Sequence, residues 1–151
     1  MTMNFISFTS PLGPLTLFAD EEALIAVEFG QGPDGMDSAL LQETKSQLSA
    51  YFAGKLEAFD LPLHAQGTAF QKSVWQLMGE IPYGKTRSYG DLAYDLDSGP
   101  RAVGSACGKN PIAIIVPCHR VLASGGKIGG YSGDGGTETK ISLLRLEGVD
   151  L

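Results

Sequence analysis

The sequence predicts an α+β chain in two parts: a small antiparallel sheet with one helix, then a mainly helical domain with a helix-turn-helix and the site cysteine, Cys118. Three observations lead there. Strand-like runs broken by turns fill the first part of the 151 residues, and helical periodicities dominate the rest. Charge is uneven, with two bases against nine acids in residues 1–60 and nine against eight in residues 61–151. Between the two regimes Gly54–Gly67 reads as a linker, and the domains are set at 1–65 and 66–151.

Asn4–Phe8, Leu15–Ala19 and Leu24–Phe29 are rich in β-branched and aromatic residues, and residues 10–14 (Ser-Pro-Leu-Gly-Pro) form a turn between the first two. Gly30–Gly35 is a loop. Asp37–Phe52 reads as a helix, with Leu40, Leu41, Thr44, Leu48, Tyr51 and Phe52 close to one face. The linker holds one extended piece, Phe59–Leu63. Thr68 opens the next helix as a capping box with Gln71. Phe70, Val74, Leu77 and Met78 form its inward stripe, Trp75 flanks it, and Gly79 stops it.

Ser88 can cap a short helix over Tyr89–Leu96. Gly99 and Pro100 break the chain, and Pro100 suits the first turn of a helix from Arg101 to Cys107 that Gly108 ends. These two helices make the helix-turn-helix candidate. Ile112–Val116 reads as a buried strand or extended segment that delivers Pro117, Cys118 and His119. A glycine-rich loop over Ser124–Gly136 holds Tyr131 and Ser132. Thr137–Glu147 closes the chain as a helix, with Ile141 and Leu144 inward and Gly148 as its stop.

Composition limits the function classes. Hydrophobic content of 43% describes a folded soluble chain, and no apolar run approaches the ~20 residues that span a bilayer. The N-terminus lacks the charged start and apolar stretch of a signal peptide, so the cytoplasm is the expected location. Two cysteines are too few for a disulfide framework, and with two histidines they offer no zinc-finger spacing. The net charge of −6 looks wrong for a DNA-binding protein. Between Lys85 and Lys127, however, six bases face three acids, and a positive face survives there.

The chemistry centres on Cys118 and His119. A thiolate is the reactive form of cysteine, and imidazole can take the thiol proton. Alone, the pair also fits a buried, inert cysteine. Neighbours on an extended segment point to opposite faces, so a bend or a water must connect the two if His119 is the base. Glu147 is a candidate to orient His119.

The run Ile114–Val121 resembles the active-site motif of the O6-alkylguanine-DNA alkyltransferases, the methylated-DNA–protein-cysteine methyltransferases. The resemblance extends over Ser10–Phe29, Tyr51–Leu63, Gly67–Ala93 and Arg101–Gly148 in the family's order. Thr68–Trp75, Ile81–Gly90, and Arg101–Gly104 through Asn110 and Pro111 each match separately. Four matches in order are far more specific than a five-residue run.

The resemblance implies the two-domain fold and a set of roles. Cys118 is the alkyl acceptor, His119 the base through a water, and Glu147 its orienting partner. Asn110 ties the turn after the recognition helix to the segment bearing Cys118. Tyr89 donates a proton or hydrogen bond to the departing guanine. Arg101 enters the stack vacated by the target nucleotide. Val121 (through its backbone), Tyr131 and Ser132 line the guanine pocket. The second helix docks in the minor groove; small residues that include Ala102 and Ser105 suit that close approach, and Lys109 and Arg120 are candidates to contact phosphate. The implied partner is double-stranded DNA containing O6-alkylguanine, with O4-alkylthymine a further candidate; cooperative self-association on DNA stays open. No cofactor is implied, because the damaged base is itself the donor, and no membrane is involved.

The stretch Tyr131–Lys140 is about two residues longer than in many members and adds Asp134, which bears on the alkyl groups accepted. Some members hold zinc in the N-terminal domain; here that region has no cysteine and no metal is expected. Two other readings fit parts of the sequence. A non-catalytic damage-binding protein of the same fold would lack the acceptor, and Cys118 argues against it. A cysteine hydrolase would need an oxyanion hole, and it leaves the Tyr89 and Arg101 matches unexplained.

Overall fold

The computed structural model describes residues 3–131 and 136–151. The chain divides into two compact units, Met1–Gln66 and Gly67–Leu151.

In the first unit β1 (Asn4–Ser10), β2 (Gly13–Ala19) and β3 (Leu24–Phe29) form an antiparallel sheet in that order. Ile6 lies opposite Leu17, and Leu17 opposite Val27, so one face collects apolar side chains with the period of two that a pleated strand imposes. Leu15, Leu17 and Ala19 are fully buried. Helix α1 (Ala39–Phe52) is capped by Ser38, whose Oγ accepts from the Leu41 amide. Leu41, Thr44, Leu48 and Tyr51 form its buried stripe, narrower than the sequence suggested. The linker is partly ordered by β3: Leu24 donates to Pro62 O and accepts from the His64 amide.

In the second unit α2 (Ala69–Gly79) begins with both arms of the capping box formed between Thr68 and Gln71. Trp75 does not flank the stripe. It is buried with Val74 and Met78, and its Nε1 donates to Ala106 O at 2.8 Å. Burying an indole requires a partner for its N–H, and a carbonyl on the following helix pair supplies one. Phe70 and Leu77 are only half-buried.

A second capping box, Ser88 with Asp91, opens α3 (Tyr89–Asp95). Helix α4 (Pro100–Gly108) follows with Pro100 in its first turn and packs on α2 and α3. A two-residue strand β4 (Arg87–Ser88) pairs in parallel with β5 (Val121–Leu122), which the sequence did not indicate. That short ladder fixes the start of α3 beside the segment that follows Cys118. The last helix, α5 (Thr137–Leu146), buries Thr139, Lys140, Leu143 and Leu144, whereas Ile141 is only half-buried.

Candidate active site

The apolar run Ile112–Val116 is not a strand. Its backbone folds into consecutive turns, with Ile115 N donating to Ala113 O at 2.8 Å and Val116 N to Ile112 O at 3.0 Å. Ile114 takes φ of 72°, a left-handed conformation that a β-branched residue rarely adopts. Asn110 bridges this segment: its Nδ2 donates to Val116 O at 2.8 Å and its Oδ1 accepts from Ile112 N at 3.0 Å. Cys118, His119 and Arg120 then form one turn of 3₁₀-helix. The relation between Cys118 and His119 is therefore set by a bend and not by the alternation of an extended strand.

Cys118 is 7% exposed and lines a cavity of about 440 Å³ together with Tyr89, Gly104, Cys107, Gly108, Gly130 and Tyr131. Burial pushes its thiol above the ordinary range, opposed by an Asn110 hydrogen bond, the Lys140 charge and a Tyr131 hydrogen bond. A resting thiol is protonated under these conditions and needs a base.

His119 is fully buried, and its Nε2 lies 2.7 Å from Glu147 Oε2. Its Nδ1 is buried without a hydrogen-bond partner. Burial pushes its pKa below the usual value. Glu147 opposes that, and the Arg120 and Lys140 charges reinforce it. The imidazole is consequently neutral at rest.

Glu147 caps the C-terminus of α5 and is 5% exposed. Besides His119 it accepts from Arg120 Nε at 2.8 Å, from Arg120 Nη2 at 3.0 Å and from the Gly84 amide at 3.1 Å. Arg120 Nη1 donates to Ile81 O at 2.7 Å, and the guanidinium lies over the Tyr83 ring. Arg120 thus cannot serve as the phosphate contact the sequence suggested. At 6% exposure its fork is committed to a carboxylate and a carbonyl.

Tyr89, the first residue of α3, lines the cavity, and its hydroxyl reaches Gly130 O at 3.4 Å. Burial, then the Cys107 and Cys118 charges, push its pKa up to about 12, so it holds its proton at neutral pH and can donate. Gly129 passes close to it at φ of 72°; a Cβ there would meet the Tyr89 ring at 3.1 Å. Tyr131 lines the same wall, and burial raises its pKa too. Val121 is buried in β5, its carbonyl accepts from Lys140 Nζ at 2.7 Å, and it is not among the cavity-lining residues. Parallel pairing with Arg87 holds it there, directly after the turn that carries Cys118. Ser132 lies outside the described residues.

Arg101, Ala102, Ser105 and Lys109 share the exposed face of α4 and its C-cap. Val103, Ala106 and Cys107 take the inward face. Gly104 and Gly108 line the cavity, and a Cβ on either would meet nothing within 4 Å.

Sequence reasoning missed Lys140. It is completely buried, and its Nζ also donates to Gly130 O at 3.1 Å and sits 5.6 Å from the centroid of the Tyr89 ring. The signal was present: Lys140, Leu143, Leu144 and Glu147 recur at helical spacing and mark the inward face.

A family profile described as "6-O-methylguanine DNA methyltransferase, DNA binding domain" matches residues 69–149, and one for the same family's "ribonuclease-like domain" matches residues 3–65. The methylated-DNA–protein-cysteine methyltransferase of Methanosarcina acetivorans is 47% identical, covering 97% of this chain and 99% of its own length. The crystal structure of Mycobacterium tuberculosis O6-methylguanine methyltransferase superposes with a TM-score of 0.85 at 43% identity, covering 97% of this chain and 93% of that one. The M. tuberculosis protein in complex with DNA gives 0.84 at 45% identity, covering 95% and 92%. With both of its units matched and relatives of this identity over nearly its full length, the chain belongs to the 6-O-methylguanine DNA methyltransferase family.

Proposed function

We propose that this chain repairs alkylated DNA by moving the alkyl group of O6-alkylguanine onto Cys118, once per molecule. The observation that carries the reading is Cys118 itself, on the wall of a 440 Å³ cavity that also has a protonated tyrosine, Tyr89. His119, its imidazole neutral, is the next residue in the same turn.

An alkyl group on O6 is out of reach within a stacked duplex, so the nucleotide turns out at a cost of roughly a few kcal/mol. Arg101, exposed in the first turn of α4, fills the gap, and the exposed face with Ala102 and Ser105 enters the minor groove. Lys109 meets a phosphate. The reaction is an in-line displacement. His119 takes the Cys118 proton through a water, the sulfur bonds to the alkyl carbon, and the carbon–O6 bond breaks as Tyr89 supplies a proton or hydrogen bond to the leaving guanine. Tyr131 borders the base. The thioether has no route back, so turnover is single. O4-alkylthymine is a second substrate, and copies can associate along DNA. Among the described residues no helix is long and apolar enough to cross a membrane, and both cysteines are free thiols, consistent with the cytoplasm.

Intact mass after mixing with duplex DNA containing O6-methylguanine tests this. The expected result is a gain of one methyl group per chain, absent in Cys118→Ala. Binding without mass gain would make the chain a damage sensor, and repeated turnover without labelling would make it a hydrolase.

A further inference from the structure

We infer that Arg120 is a positioning residue for the alkyl transfer, holding Glu147 ionised and in place so that His119 keeps its proton on Nε2 and a free lone pair on Nδ1. The inference rests on the acceptor reading of Cys118 and assigns the neighbouring arginine a part in it.

A carboxylate that is 5% exposed, as that of Glu147 is, is costly unless paired, and without a cation it takes up a proton instead. Arg120 prevents that through two nitrogens, Nε on Oε1 and Nη2 on Oε2 at 2.8 and 3.0 Å. The guanidinium is in turn held by Ile81 O and the Tyr83 ring, and Tyr83 is tied by its hydroxyl to Leu146 O at 3.2 Å. The Gly84 amide completes the cradle on Oε1. Such a fork cannot rotate without breaking several bonds at once, which fixes Oε2 where it meets His119 Nε2 at 2.7 Å.

The consequence is a tautomer. An ionised Glu147 only accepts, so the proton of the neutral imidazole sits on Nε2 and Nδ1 carries the lone pair. One extra proton on the His119–Glu147 pair removes that lone pair wherever it lands. On Glu147 it donates to Nε2 and drives the imidazole proton to Nδ1; on His119 both nitrogens are protonated. In either case Nδ1 can no longer take the Cys118 proton. Among the described residues the charges that act on His119 are those of Glu147 at the C-cap of α5, Lys140 within α5 and Arg120 in its own turn, where Cys118 precedes it. The side chains that α2 buries, Val74, Trp75 and Met78, carry no charge. Arg120 is the cation in direct contact with the carboxylate.

The test is Arg120→Gln, read by ¹⁵N imidazole NMR of His119 and by the pH dependence of transfer from O6-methylguanine duplex. In wild type the ¹⁵N shifts should report Nε2–H. In the variant they should move to Nδ1–H or the doubly protonated form near neutral pH. The acid limb of the transfer rate should rise by about one pH unit, a loss that approaches tenfold at pH values below the limb and recovers at alkaline pH. Arg120→Lys keeps the charge and loses the fork, so it should keep the wild-type tautomer with a smaller displacement of the limb; it also serves if the glutamine variant does not fold. An unmoved imidazole signature with a rate loss equal at all pH values overturns the inference, as does a salt slope of DNA binding reduced by one phosphate contact. The NMR readout needs no substrate, so failure of Cys118 to accept an alkyl group would be seen separately.

Discussion

Arg101 and Arg120 belong to the same helical unit and illustrate two kinds of charge. Arg101 is exposed at the start of α4, beside Ala102 and in line with Ser105 and Lys109. Arg120 is buried against Glu147, Ile81 and Tyr83. The first region is open to an anionic partner and adds little to folding. The second is buried and, in the reaction proposed above, holds His119 in one tautomer. Substitutions should separate the two, with folding and chemistry falling together at the end of α5 and only the handling of duplex DNA changing on α4.

The largest effect is expected at Glu147. Glu147→Gln leaves Arg120 buried without its counter-charge, and breaking such a pair costs about 3–5 kcal/mol. The amide can also donate to His119 Nε2, which reverses the tautomer. Urea unfolding should show the stability loss, and intact mass should show methylation slowed at least a hundredfold. A stable, fully active Glu147→Gln would mean that the cluster is neither structural nor catalytic.

Lys140→Met comes next. The substitution leaves Val121 O and Gly130 O without their donor, a loss of about 2 kcal/mol at the usual cost of unsatisfied buried groups. The pH dependence carries the sharper test. Burial holds the folded pKa of Lys140 below its ordinary 10.5, so between those values the unfolded chain binds more protons than the folded one. This group's contribution therefore rises with pH across that window. The stability gap between wild type and Lys140→Met should widen from pH 7 to pH 10, and a constant gap would place the ammonium in water.

Much of this was readable beforehand because its causes are local. Thr68 with Gln71 and Ser88 with Asp91 cap helices through atoms three residues apart, and Pro100 marks a first turn by its own geometry. The strands of the first unit were legible from runs of β-branched and aromatic residues broken by turns. What was lost depends on distant partners. Arg120 looked like a phosphate ligand because nothing near it in sequence reveals Glu147, 27 positions on. Trp75 looked peripheral because its carbonyl partner, on Ala106, is 31 positions away. Ile112–Val116 had a strand's composition, but Asn110 takes up the Val116 carbonyl and the Ile112 amide, and the backbone between them closes into turns. A short apolar run cannot announce which of these it will find.

On the exposed side, Arg101→Ala should leave stability within about 0.5 kcal/mol of wild type, since nothing buried depends on it. Its signature is a ratio. Methyl transfer from duplex DNA should fall at least tenfold while reaction with free O6-benzylguanine holds, because the free base needs no extrusion. Equal losses on both substrates would remove Arg101 from base flipping and leave the exposed face a simple electrostatic surface.

The smallest effect is expected one helix length away, at Lys109. Its ammonium is exposed at the C-cap of α4, so Lys109→Gln should change neither stability nor reaction with the free base. Only the salt dependence of duplex binding should respond. A single phosphate contact contributes about 0.9 to the slope of log affinity against log salt, and the variant's slope should be shallower by about that amount. Arg120→Lys, with its charge kept and buried, should leave the slope untouched. That pairing tests the division directly: if Lys109→Gln leaves the slope unchanged, the positive face that engages DNA lies elsewhere than on α4. If Arg120→Lys changes it, the arginine reaches the phosphates after all, and its bonds to Glu147 must open when DNA binds.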